Sequence, residues 1–120
     1  MELVAVFNST KGVLLAERAM LADTPPSRRR GLLGTDRLED GSGMVLVPCR
    51  QVHTFGMRYA IDVVFVDRSL RVLRVVEGMR PWRLGAPVPR AAAAIELPDG
   101  KAADTGTAPG DAIQLFGFPR

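Results

Sequence analysis

Two polar side chains in apolar surroundings are the first candidates for chemistry, His53 and Asp62. His53 is the only histidine of the chain. An imidazole can act as a general base near neutral pH, or donate a hydrogen bond to an anion. Asp62 would orient that imidazole in an acid–base or metal-assisted enzyme. These two residues are therefore the candidate catalytic pair.

The segment around His53 also suits a binding surface. Residue character alternates over 52–59, so His53, Phe55 and Met57 would share one face of an extended segment. Arg58 follows them directly. An apolar floor with a few convergent polar groups is typical of small-molecule sites. We predict that these four residues bind an anionic or sugar-like ligand.

An arginine run and a lone tryptophan extend this hypothesis. Arg29 and Arg30 belong to the run 28–30, and Trp82 lies in a proline-rich segment. Guanidinium groups bind carboxylates and phosphates through two parallel hydrogen bonds. The alternatives are a solvated helix face for the arginines and simple loop packing for Trp82. We predict that Arg29, Arg30 and Trp82 lie near the His53 surface and contribute to ligand binding.

Asp62 and Glu96 interrupt apolar segments that resemble strands. Burying an unpaired carboxylate costs several kcal/mol, so we expect each of the two to form a structural ion pair with an arginine. Asp62 could instead accept backbone N–H bonds. With His53, the two carboxylates suit a divalent metal by residue type alone. The spacing does not support such a site, and we predict no metal and no other cofactor.

The elements that must position these residues are short strands. Apolar, β-prone segments bounded by turn residues occur at 2–7, 13–16, 44–47, 61–66, 70–76, 93–97 and 112–116. Thr24 can cap a helix near 25–33, with Pro25 at its first position. A single helical turn is expected at 101–104. These elements predict a mostly β domain, a compact β-sandwich or barrel of about seven short strands with one short helix.

Length and composition restrict the classes of protein. The 120 residues form one domain, 1–120, with an ordinary 47% hydrophobic and 24% charged content. The single cysteine, Cys49, excludes an intramolecular disulfide. No apolar run could span a membrane and the first residues lack signal-peptide features, so we expect a cytoplasmic location. The net charge of +3, with acidic residues interleaved, disfavours nucleic acid as a partner.

An ordered set of motifs resembles the bacterial and archaeal domain-of-unknown-function family 192. The motifs are RRRGLLG at 28–34, GM at 43–44, HTFGMR at 53–58, IDVVFVD at 61–67, IELPDG at 95–100 and GD at 110–111. The resemblance implies a small β-rich domain with a β-sandwich-like fold and no settled activity. Many relatives begin with a secretory leader. The family pattern has a second aromatic at the place of Gly56, so a platform of two adjacent rings would be weakened here.

Three functions remain open at this point. The preferred one is a binding module for a small anionic or sugar-like ligand. The second is an acid–base or metal-assisted enzyme that uses His53 and Asp62. The third is a protein-interaction domain that exposes Trp82 and an unpaired edge strand.

Overall fold

One seven-stranded sheet is the frame of the protein in the computed structural model, which describes residues 2–118. The elements in chain order are β1 (Leu3–Asn8), β2 (Val13–Ala22), α1 (Pro25–Arg30), β3 (Ser42–Leu46), β4 (Ile61–Val66), β5 (Val72–Met79), β6 (Ala93–Pro98), α2 (Lys101–Thr105) and β7 (Ile113–Gly117). The strand order is β5-β4-β6-β3-β2-β1-β7. Among the strand pairs of residues 2–118, β2 and β3 alone pair in parallel. The predicted mostly β class is confirmed.

The sheet curls into a half-barrel because its two edge strands approach each other at one end. Arg71, just before β5, forms an isolated bridge with Ala112, just before β7. The Ile113 N–H also donates to the Leu70 carbonyl at 2.8 Å. The predicted barrel-like closure is therefore present at this end.

The two faces of the sheet carry separate apolar clusters, because successive side chains of a strand point to opposite sides. One cluster contains residues from all seven strands and fills the inside of the curl; its members include Val6, Leu15, Val45, Val64, Ile95, Leu97 and Ile113. The other cluster lies on the outer face of β3, β4 and β6, and its members include Leu32, Met44, Leu46, Val52, Met57, Val63 and Ala94. The segment after α1 and the loop before β4 cover this outer cluster.

Helix α1 begins and ends where its capping residues dictate. The Ser27 N–H donates to Thr24 Oγ1 at 3.2 Å, and the Thr24 N–H donates to Ser27 Oγ at 3.0 Å, which forms a capping box. Gly31 has a φ of 48° and ends the helix. The helix is therefore shorter than the predicted 25–33, and Leu32 beyond it reaches the outer cluster. The turn expected at 101–104 is a second short helix, α2.

The segment 52–59 is a loop, which corrects the predicted extended strand. Only His53 pairs there, through an isolated bridge with Leu84. Gly56 has a φ of 81° and turns the chain, so the alternation of side chains stops at that residue. Met57 is consequently 7% exposed and packs in the outer cluster, while His53 and Phe55 face solvent.

None of the helices in residues 2–118 has the length and apolar character that crossing a membrane would require.

Candidate functional site

Glu96 is a buried carboxyl group on the outer face of β6. It lies between Met44 of β3 and Val63 of β4 and is only 4% exposed. No side chain within residues 2–118 forms an ion pair with it, and no N–H or O–H there donates to its carboxylate. Within residues 2–118 every side-chain oxygen that is completely inaccessible has a hydrogen-bond partner. The Glu96 oxygens have none, so they must be partly accessible, and the space that they reach is the adjacent cavity. Burial raises the pKa of Glu96 to about 7.

The cavity beside Glu96 lies between α1, β3 and the loop that contains His53. Its volume is about 70 Å³. This is room for about two water molecules or one small polar group, such as a carboxylate. Leu46 and Met57 form an apolar part of the cavity wall, and His53 and Phe55 also line the cavity. A wider groove of about 400 Å³ continues from it over Pro48, Cys49 and Arg50.

Four arginines surround the cavity and the groove. Arg28 is half-buried, and its Nη1 donates to the Val47 carbonyl at 3.2 Å. Arg29, Arg30 and Arg50 are exposed. Within residues 2–118 none of these guanidinium groups forms an ion pair with a carboxylate. Their charge is therefore uncompensated and attracts anions to this opening.

Asp62 lies on the opposite face of the sheet from Glu96. Its side chain is fully buried; Oδ1 accepts from the Gly78 N–H at 2.9 Å, and Oδ2 accepts from the Ala102 N–H at 2.8 Å. Backbone N–H groups thus occupy the position where an arginine was expected. The arginine partner expected for Glu96 is likewise not found among residues 2–118.

The placement of Asp62 separates it from His53. Asp62 shares the inner face with Val64 and Val66, whereas His53 stands at the cavity on the outer side. The Nδ1 of His53 accepts from the Phe55 N–H at 3.2 Å, and no hydrogen bond joins His53 to Asp62. The proposed catalytic pair is therefore not assembled. No three His, Cys, Asp or Glu side chains of the described chain are grouped to hold a metal ion.

Three rings contact one another in a row, here called the aromatic row: His53 and Phe55, which line the cavity, and Trp82, which lies beside Phe55. The centroids of His53 and Phe55 are 5.0 Å apart with 24° between the planes. Those of Phe55 and Trp82 are 6.5 Å apart with 40° between the planes. Phe55 is 43% exposed and Trp82 is 64% exposed. The second ring beside Phe55 thus comes from another loop, although Gly56 stands at the place where the family pattern has an aromatic.

Thr54 holds the loop that carries Trp82, a role that the sequence analysis did not identify. The buried Thr54 hydroxyl accepts from the Arg83 N–H at 3.0 Å and donates to the Arg80 carbonyl at 2.5 Å. Its backbone carbonyl accepts from the Trp82 N–H at 2.9 Å. Trp82 has a φ of 63°, in the left-handed region that residues other than glycine rarely adopt. The only signal in the sequence was the position of Thr54, a small hydroxyl residue between the aromatic residues His53 and Phe55.

Arg58 and Cys49 lie near the candidate site but do not line the cavity itself. Arg58 is exposed and forms an ion pair with Asp36 outside the cavity. Cys49 lines the groove, and burial raises the pKa of its thiol. A thiol with a raised pKa stays protonated, so Cys49 lacks the environment of a nucleophile.

The family assignment rests on most of the chain. The sequence model of the family DUF192, described as an uncharacterized ACR, matches residues 6–115. The chain therefore belongs to this family, and the predicted resemblance is confirmed.

The similar proteins extend over archaea and bacteria. A UPF0127 protein of Thermococcus sibiricus is 34% identical over 99 residues, which cover 79% of this chain and 64% of that protein. A UPF0127 protein of Pyrococcus horikoshii is 38% identical over 65 residues, 54% of this chain and 56% of its own length. The chain thus spans less than two thirds of each of these relatives.

Two crystal structures share the fold. A protein of unknown function from Novosphingobium aromaticivorans has a TM-score of 0.80 and 25% identity, covering 93% of this chain and 83% of the other. A candidate transcription regulator from Sinorhizobium meliloti has a TM-score of 0.79 and 20% identity, covering 95% and 92%. The second likeness concerns the fold alone.

Proposed function

We propose that the protein binds a small acidic ligand in the cavity between α1 and Glu96. The observation that carries the proposal is the Glu96 carboxyl, which is buried, has no hydrogen-bond or ion-pair partner among residues 2–118, and opens into that cavity. A buried polar group without a partner is costly, and proteins usually satisfy such groups with water or a ligand. A ligand oxygen in the cavity would provide the missing hydrogen bond.

The charges around the cavity support an acidic ligand over a basic one. Arg29, Arg30 and Arg50 are positive and without carboxylate partners in residues 2–118, whereas burial raises the pKa of Glu96 to about 7. A protonated Glu96 can donate a hydrogen bond to a carboxylate or phosphate oxygen. The opening is therefore positive at its rim, and the negative charge at its floor falls as pH drops below about 7.

Loss of the rim arginines is expected to weaken anion binding. The probes are glycolate, lactate and inorganic phosphate, and the anion that binds most tightly to the unchanged protein is used for the comparison. The double variant Arg29→Ala/Arg30→Ala removes two charge-assisted donors, so its affinity for that anion should fall at least about tenfold. Isothermal titration calorimetry at low ionic strength measures this change. We avoid Arg28 because its bond to Val47 also supports the fold.

The matched control is the double variant Arg68→Ala/Arg74→Ala. Both of these arginines are exposed and line neither the cavity nor the groove, and the change in net charge is the same. Affinity in the control should stay within about twofold of the unchanged protein, since only long-range attraction is reduced. Equal losses in the two double variants, or no binding of any of the three anions, would contradict the proposal.

A further inference from the structure

The cavity is too small for more than one end of a ligand. A volume of about 70 Å³ accepts a single acidic group, so the rest of the molecule must lie outside. The aromatic row begins at that opening, because His53 and Phe55 line the cavity and the ring of Trp82 lies 6.5 Å from that of Phe55. The exposed faces of Phe55 and Trp82 therefore offer an apolar surface for the rest of the ligand, beside the groove over Pro48, Cys49 and Arg50.

The conformation of Trp82 is a separate indication of ligand contact. Its backbone adopts an unfavourable positive φ, while its indole remains 64% exposed and contributes little to the core. Five hydrogen bonds between Thr54 and residues 80–83 hold this conformation. Backbone strain that the surroundings over-determine is concentrated at ligand-binding sites. This observation depends on neither Glu96 nor the arginines.

We infer that the ligand is an acidic sugar, whose carboxylate enters the cavity while its pyranose ring packs on Phe55 and Trp82. A sugar ring has an apolar C–H face, which packs on aromatic rings, and a polar edge of hydroxyl groups. Gln51 lies at that edge; its Nε2 donates to the Gly85 carbonyl at 2.9 Å, which leaves its amide oxygen for a hydroxyl. The inference rests on the proposed function and adds the class of ligand.

Each part of the site selects against a simpler molecule. A neutral sugar leaves the charge of Arg29 and Arg30 uncompensated, and a short acid leaves Phe55 and Trp82 uncovered. The joint requirement is an anionic group directly attached to a ring with an apolar face. A hexuronate satisfies both conditions.

Titration calorimetry with three probes tests the assignment. The probes are D-glucuronate, glycolate as the acid without a ring, and methyl β-D-glucoside as the ring without an acid. We expect D-glucuronate to bind at least about tenfold more tightly than either of the others. Trp82→Ala should weaken D-glucuronate about tenfold, as expected for loss of one aromatic contact, and leave glycolate unchanged.

Two further variants separate loss of binding from loss of folding. Trp82→Gly permits the positive φ without strain, so its melting temperature should not fall while D-glucuronate binding does. Phe116→Ala removes another exposed ring, on β7 and outside the cavity, and should change neither property.

The outcomes distinguish the sugar from the proposed function. Equal affinities for glycolate and D-glucuronate, with no effect of Trp82→Ala, overturn the sugar assignment and leave acid binding intact. Tighter, Trp82-dependent binding of an acetylated dipeptide with a free C-terminal carboxylate also overturns it, in favour of a peptide ligand. Failure of both acids to bind overturns the assignment together with the proposed function.

Discussion

Replacing Asp62 with alanine is expected to lower the free energy of unfolding by about 4 kcal/mol. The side chain is fully buried and accepts the N–H groups of Gly78 and Ala102, which connect β4 to β5 and to the start of α2. The substitution leaves the buried Ala102 N–H and the part-buried Gly78 N–H without partners, at about 1–3 kcal/mol each, and adds a small cavity. Chemical denaturation followed by circular dichroism measures the loss.

Two comparisons show whether these hydrogen bonds are the cause. Asp62→Asn keeps the volume and one acceptor oxygen, so about half of the loss should return. Asp99→Ala removes an exposed carboxylate of the neighbouring turn and should cost less than about 0.5 kcal/mol. A loss below about 1 kcal/mol in Asp62→Ala would show that Asp62 does not anchor these elements.

The stability of the protein should fall as pH rises from 4.5 to 7, because of Glu96. Its pKa is about 7 in the folded protein, since burial disfavours the charged form, against an ordinary value of 4.5. Below pH 4.5 both states are protonated and the full stability is present. As pH rises, the unfolded state loses this proton first, so folding becomes less favourable, by about 3 kcal/mol once pH exceeds 7.

Glu96→Gln isolates this contribution from that of the other carboxylates. Glutamine does not titrate, so the stability of the variant relative to the unchanged protein should increase by about 3 kcal/mol between pH 4 and pH 8. Urea denaturation of both proteins at each pH gives the difference between their free energies of unfolding. The contributions of the other titratable groups are the same in both proteins and cancel in this difference. Parallel stability curves would mean that Glu96 titrates normally and is not confined as described.

Features that depend on neighbours in sequence were predictable. The β-prone run 61–66, apolar except for Asp62, predicted β4 with its observed ends, and Thr24 followed by Pro25 predicted the start of α1. The ordered motifs also indicated the family correctly. In each case the signal and the structure lie within a few residues of each other, so no knowledge of strand pairing was needed.

Features that depend on distant contacts were not predictable. Within residues 2–118 Glu96 has no arginine partner, because the strand register places it between Met44 and Val63, and residue types alone do not reveal that register. The prediction of a strand over 52–59 was wrong because Gly56 turns the chain. The alternation of residue character along this segment does not reveal that turn. The position of Trp82 depends on hydrogen bonds from Thr54, far away in sequence.

The outer face of the half-barrel, and not its interior, carries the candidate site. The interior holds a cluster of buried apolar side chains from all seven strands. On the outer face, the cover formed by α1 and the loop around His53 leaves the opening above Glu96. A ligand there would be held by loops on a rigid sheet, an arrangement that many binding sites use.

The most direct test of this account is an NMR titration of ¹⁵N-labelled protein with D-glucuronate. We expect the backbone amide signals of residues 28–33, 51–57 and 80–84 and of Glu96 to shift together and saturably, while those of α2 and β7 stay in place. This pattern would locate an acidic ligand at the opening above Glu96. Shifts centred on α2 or β7, or no saturable shifts, would contradict the assignment of the site.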